Sequence, residues 1–89
     1  MHEEEWVEKL TKEGFKNVSV SRHGPNMVFG VHTHQEPSVH LVLQGELTFT
    51  DQQGTKTVRE GGRIEFAAGT THTAVCGADG CTFVLGFRR

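Results

Sequence analysis

Basic residues are in short supply in this sequence: 9 Lys and Arg stand against 11 Asp and Glu, for a net charge of −2. That removes the electrostatic footprint of a nucleic-acid binder. Long apolar runs are missing as well, so no membrane span is expected. The opening MHEEEW lacks the basic and apolar segments of a signal peptide, and the expectation is a cytoplasmic protein. Cysteine is limited to Cys76 and Cys81. The Gly-Ala-Asp-Gly between them is not the spacing of a CxxC zinc knuckle. A hairpin over those residues would bring the two sulfurs within disulfide reach. In a reducing cytoplasm the pair is instead expected as free thiols that fill space as small apolar side chains. Internal repeats, low-complexity tracts and linkers are absent too. The 89 residues therefore read as a single domain, residues 1–89, with nothing left over for a DNA-binding unit. A domain of this size buries only about 60% of its unfolded surface, so a bound metal or a second copy would help to stabilise it.

Glycine is plentiful, at 11 residues, and it punctuates short runs. Residues 3–13 read as one helix, with Trp6, Val7 and Leu10 forming an apolar stripe. Glu3, Glu4 and Glu5 suit the positive end of the helix dipole, and Gly14 is a natural stop. Trp6 is expected to anchor this helix on the rest of the domain. Beyond Gly14 the period falls to two, and residues 15–88 read as strands. They are expected over residues 15–22, 27–33, 39–43, 46–50, 55–59, 63–66, 72–76 and 81–87. The connections are His23-Gly24-Pro25-Asn26, a loop ending at Ser38, Asp51-Gln52-Gln53-Gly54, Gly61-Gly62, Ala68-Gly69-Thr70 and a last hairpin at residues 77–80. Pro37 supplies no ladder donor in the second of these. Many short strands with glycine corners predict an all-β sandwich or barrel. Val42, Phe49, Ile64, Phe66, Phe83 and Leu85 are expected to fill it. Arg63 and Glu65 alternate with Ile64 and Phe66 and are placed outside.

Three of the 6 histidines fall in GVHTHQEPSVHLVLQG, residues 30–45. On an extended strand His32 and His34 share one face, and two imidazoles at that spacing can bind one metal ion. His72, in the second glycine-rich block GGRIEFAAGTTH, is a candidate third ligand. Neutral imidazole suits zinc, copper, iron and nickel. His2 reads as part of a loose terminus and His23 as a turn residue.

On these residues the chain resembles a small single-domain member of the cupin superfamily. The first cupin motif is an HxH pair followed by a glutamate and then a glycine, matched by His32-Thr33-His34 and Gly45. The second motif runs from a glycine through Pro-x-Gly to a histidine, matched by Gly61, Ala67-Ala68-Gly69 and His72. The two motifs span residues 30–76. Two departures stand out: Ser38 replaces the motif's glutamate, and Cys76 takes the place of an asparagine. The resemblance implies a jelly-roll-like β-barrel behind the short helix. It also implies one divalent transition metal (Zn, Fe, Ni, Mn or Cu) held by His32, His34 and His72.

With the carboxylate missing, His40 is a candidate fourth ligand, two residues beyond Ser38 and on the same strand face. Alternatively it acts as an acid/base beside the metal. Glu36 is a further candidate ligand, its simpler reading being a solvated loop carboxylate. The resemblance further implies a metal-dependent enzyme on a small organic molecule bound in the barrel, of dioxygenase, isomerase or lyase type. A binding module without catalysis is the alternative, since one fold hosts both. A barrel with no metal would leave the same-facing histidines unexplained. A homodimer is expected, through the helix stripe or the first strand, because exposed sheet edges invite pairing.

Overall fold

The computed structural model describes residues 2–88. One helix precedes six strands: α1 (Glu3–Lys12), β1 (Lys16–His23), β2 (Val28–Thr33), β3 (Ser38–Asp51), β4 (Gly54–Arg59), β5 (Arg63–Phe66) and β6 (Thr71–Phe87). Every strand pairing is antiparallel. The two long strands, β3 and β6, run beside each other from Ser38↔Phe87 to Thr50↔Thr73 and form the spine. The first half of β3 is flanked by β5, and the β6 segment beside it by β1. The second half of β3 is flanked by β4, and its β6 segment by β2.

The two halves face each other. Val42 and Phe83 of one half join Leu47, Phe49, Val58 and Ala74 of the other in a single buried cluster. All six residues expected to fill the barrel lie in or against it. A second cluster sits outside the barrel, where α1 covers one half: Leu10 and Phe15 are buried against Val39, Leu41, Leu43 and Val84, with Trp6 and Val7 packed alongside. Trp6 thus docks the helix as expected. Glu13, at the end of α1, takes a two-pronged bond from Arg63 on β5, at 2.7 and 3.1 Å. Arg63 also bonds Glu65, so both charged residues of β5 lie outside, beside the helix.

The sequence suggests two strands around Gly45, and the structure makes them one. Gly45 sits between two register shifts of β3, one from an extra β3 residue between Val42 and Gln44 and one where β6 makes an excursion opposite Gly45 and Leu47. The φ of Gly45 is +74°, and a Cβ at this position would fall 2.2 Å from the Gly80 carbonyl oxygen. The extra residue changes the phase of the pleat. Even positions Ser38, His40 and Val42 point inward before it, and odd positions Leu47 and Phe49 after it.

The expected hairpin at residues 77–80 is a correction. Chain direction does not reverse there: Cys76 and Cys81 pair with Leu47 and Gly45 on the same partner strand. The intervening residues form an excursion that bends β6 and switches its inward set from His72, Ala74 and Cys76 to Cys81 and Phe83. Cys76 and Cys81 are joined in a disulfide, with Cα atoms 5.5 Å apart, instead of being free thiols.

Candidate metal centre

β2 and β6 bring His32 and His72 together as direct cross-strand partners. The pleat of β2 alone would not do this in phase with its apolar residues. Phe29 packs on the barrel core, so simple alternation would send Val31 inward. A register shift between Phe29 and His32 resets the phase. Val31 is 74% exposed, and His32 turns in. His34 follows just beyond the strand, and its carbonyl accepts from the Gly69 backbone N–H at 2.9 Å, tying the β5–β6 turn to the site.

The donor nitrogens of His32, His34 and His72 all lie within 4.8 Å of one another. Nε2 of His32 and Nε2 of His72 are 2.8 Å apart. His32 Nδ1 donates to the Gly30 carbonyl at 2.7 Å. A carbonyl only accepts, so the proton is on Nδ1 and Nε2 carries the lone pair that faces His72. Two imidazole nitrogens approach this closely with a proton between them or with both lone pairs on one cation. His72 is buried, and its Nδ1 has no hydrogen-bond partner among the described residues.

The electrostatics match this donor set. Burial lowers the pKa of His72 to about 4, helped by His32 and His34. His34 is also lowered, first by burial and then by His32. Both imidazoles are therefore neutral at pH 7, the form in which they ligate. Three imidazole nitrogen donors on one side of a cavity fit a divalent transition ion.

His40 lies beside the triad, not inside the 4.8 Å cluster. Its ring centroid is 6.2 Å from that of His72 and is surrounded by Phe49, Phe66 and Phe83 at 4.9, 5.9 and 5.4 Å. It is 5% exposed, and its Nδ1 has no partner among the described residues. Burial, then the imidazoles of His72, His34 and His32, lower its pKa to about 3. Ser38, at the position of the cupin glutamate, is buried, and its Oγ has no partner among the described residues. Glu36 is half-buried and outside the triad cluster.

A cavity of about 620 Å³ adjoins His32, His34 and His40, within the range of small-molecule sites. Its wall is mostly apolar, from Phe29, Leu47, Phe49 and Phe83. The cavity also reaches Ser21 and His23, and His23 ends β1 where a turn was expected. A signal for it was present in the sequence. Val18 and Val20 face the helix-covered cluster, so period two sends Ser21 and His23 to the opposite, inner face.

No protein-family model and no curated protein matches this sequence. Similar solved structures exist. A protein of unknown function from Rhizobium leguminosarum superposes with a TM-score of 0.74 at 21% identity, covering 80% of this chain and 67% of its own. A cupin-2 domain protein from Shewanella frigidimarina gives 0.70 at 18% identity, covering 81% and 69%. A DMSP lyase from Ruegeria pomeroyi gives 0.74 at 15% identity, covering 81% of this chain and 37% of the lyase. At these identities the likeness concerns the backbone. The superposition on cupin proteins covers 81% of this chain: the chain has the cupin fold.

Proposed function

We propose that this domain is a divalent-metal-dependent enzyme acting on a small organic molecule, with His32, His34 and His72 as the metal ligands. The observation that carries the reading is the convergence of three imidazole nitrogens within 4.8 Å at the edge of an apolar cavity. A bound ion would supply Lewis acidity and a lowered pKa for coordinated water. The chain's own residues do the rest. His32 is oriented by its bond to Gly30. Phe29, Phe49 and Phe83 keep water from the bound molecule. His40, neutral and without a partner at Nδ1 among the described residues, offers an N–H and a lone pair to that molecule. In this reading His40 is an acid/base that serves the ligand, because it stands outside the close donor cluster. A lyase, isomerase or dioxygenase reaction is in keeping with such a site; the DMSP lyase from Ruegeria pomeroyi shares the fold.

The test is to strip the protein with a chelator and reload it separately with Zn(II), Mn(II), Fe(II) and Ni(II). Each form is then assayed against a panel of small organic acids. Turnover that needs the ion and is lost in His72→Ala supports the proposal. Turnover that survives stripping overturns it, and ligand binding with no turnover in any form favours a binding module.

A further inference from the structure

His23 is a titratable side chain in the cavity wall that the metal centre does not use. Its Cα pairs with Cys81 at the end of the β1–β6 ladder. Its ring stacks on Phe83, with centroids 5.7 Å apart and planes 22° apart, and meets Phe29 edge-on at 4.7 Å. Those contacts fix the ring's orientation. The backbone behind it is held too. Gly80 has φ +80°, and a Cβ there would lie 2.6 Å from the His23 carbonyl oxygen, so the β6 excursion packs directly on this residue. The Cys76–Cys81 disulfide closes that excursion.

Among the described residues no group hydrogen-bonds either ring nitrogen of His23. The side chain is half-buried and lines the cavity, so its nitrogens are open to whatever enters there. The nitrogens gain a purpose when a molecule in the cavity meets them. Phe83 stands between His23, at 5.7 Å, and His40, at 5.4 Å. His23, His32, His34 and His40 thus line one cavity, with Phe83 between His23 and His40 and aromatic surface from Phe29 and Phe83 beside His23.

We propose that His23 is a specificity-determining residue that hydrogen-bonds an oxygen at the far end of a small aryl acid whose carboxylate lies at the triad. The ligand class follows from the order of surfaces: a metal-binding anion first, a flat apolar body against phenylalanine rings, then a hydroxyl within reach of a fixed imidazole. This rests on the reading of His32, His34 and His72 as a metal centre.

The experiment uses Zn(II)-loaded protein and two probes that differ by one hydroxyl, 4-hydroxycinnamate and cinnamate, titrated by calorimetry. Wild type is expected to bind the hydroxylated probe about tenfold more tightly, the worth of one hydrogen bond. His23→Phe should bring that ratio close to one while leaving the affinity for cinnamate within about twofold. His23→Gln, which keeps a donor, should restore part of the preference and serves in its place if the phenylalanine variant unfolds. Equal affinities on wild type, a preference that survives in His23→Phe, or no binding of either probe at millimolar concentration would overturn the proposal. Zinc stoichiometry is measured on the same samples. Zinc bound at one equivalent with no response at position 23 removes only His23's role, whereas failure to bind zinc removes the metal centre beneath it.

Discussion

His32 and His72 are direct partners across the β2–β6 pair, and their Nε2 atoms meet at 2.8 Å. Forty residues separate them in the chain, and the irregularity between Phe29 and His32 brings them face to face. The excursion in β6 then lets His72 and Phe83 both point inward from one strand. The donor cluster is thus a product of register, and perturbing register should disperse it.

Gly45 offers the sharpest test of that dependence. A methyl group there would lie 2.2 Å from the Gly80 carbonyl oxygen, on a backbone at φ +74°. Gly45→Ala is expected to destabilise the fold by more than about 3 kcal/mol, from the clash and the left-handed backbone together. Gly69 has a similar φ of +81°, but a methyl group on it would meet nothing within 4 Å. Gly69→Ala should cost about 1–2 kcal/mol. Urea denaturation of the two variants separates crowding from backbone strain, and equal losses would contradict the packing described.

Stability should fall on acidification, and the sign follows from His40. Burial, with the neighbouring imidazoles, holds its folded pKa near 3, below the ordinary value of 6.5. The unfolded chain takes up a proton as pH drops below 6.5 while the folded chain does not. The contribution is therefore whole above that pH and is lost as pH falls from 6.5 toward 3. Between about pH 6.5 and pH 5 one such group costs about 2 kcal/mol. His72, lowered to about 4 chiefly by burial, acts in the same direction. Denaturation of metal-free protein at pH 7.5 and pH 5 should show the loss, and His40→Phe should flatten the pH dependence. An unchanged slope in that variant would argue that His40 is solvated.

The disulfide predicts that protein alkylated under non-reducing, denaturing conditions carries no adduct at Cys76 or Cys81, the two cysteines of the chain. Intact mass spectrometry reads this directly. Because the closed loop is short, reduction should lower stability by no more than about 2 kcal/mol. Two adducts without reductant would return the pair to free thiols.

A homodimer is also proposed, through β2 and not the helix stripe, which is packed on the barrel. β2 has β6 on one side, and Met27, Val28 and Val31 are 44%, 67% and 74% exposed. Apolar side chains on a strand edge favour a second chain. Light scattering should give twice the 9.9 kDa of one chain, and Val31→Lys should shift the mass toward the monomer. A monomer mass for wild type at micromolar concentration would contradict it.

Much of the fold could be read from local sequence, because glycine corners and period-two runs are local. The helix with Trp6, the outward Arg63 and Glu65, and the barrel-filling Phe49, Phe66 and Phe83 all came from periodicity. What failed was continuity. Gly45 and residues 77–80 look like turns because bulges and turns draw on the same residues. Only the partner strand, which runs past both interruptions, decides between them. The HxH pair signalled that His32 and His34 act together, and the cupin motif supplied His72. Distance in space could not be read in the same way: His40 shares a face with Ser38, yet its ring sits among phenylalanines beside the triad. His23 was missed because Gly24 and Pro25 drew it into a turn, although Val18 and Val20 already fixed the phase of its strand.

The most direct test of the metal centre is a Zn(II) titration of chelator-stripped protein, against a competing chromophoric chelator, for wild type and four single variants. Wild type should bind one equivalent, and His32→Ala, His34→Ala and His72→Ala should each lose at least about tenfold in affinity. His40→Ala should retain it within a few-fold. Undiminished zinc affinity in both His32→Ala and His72→Ala would contradict the account.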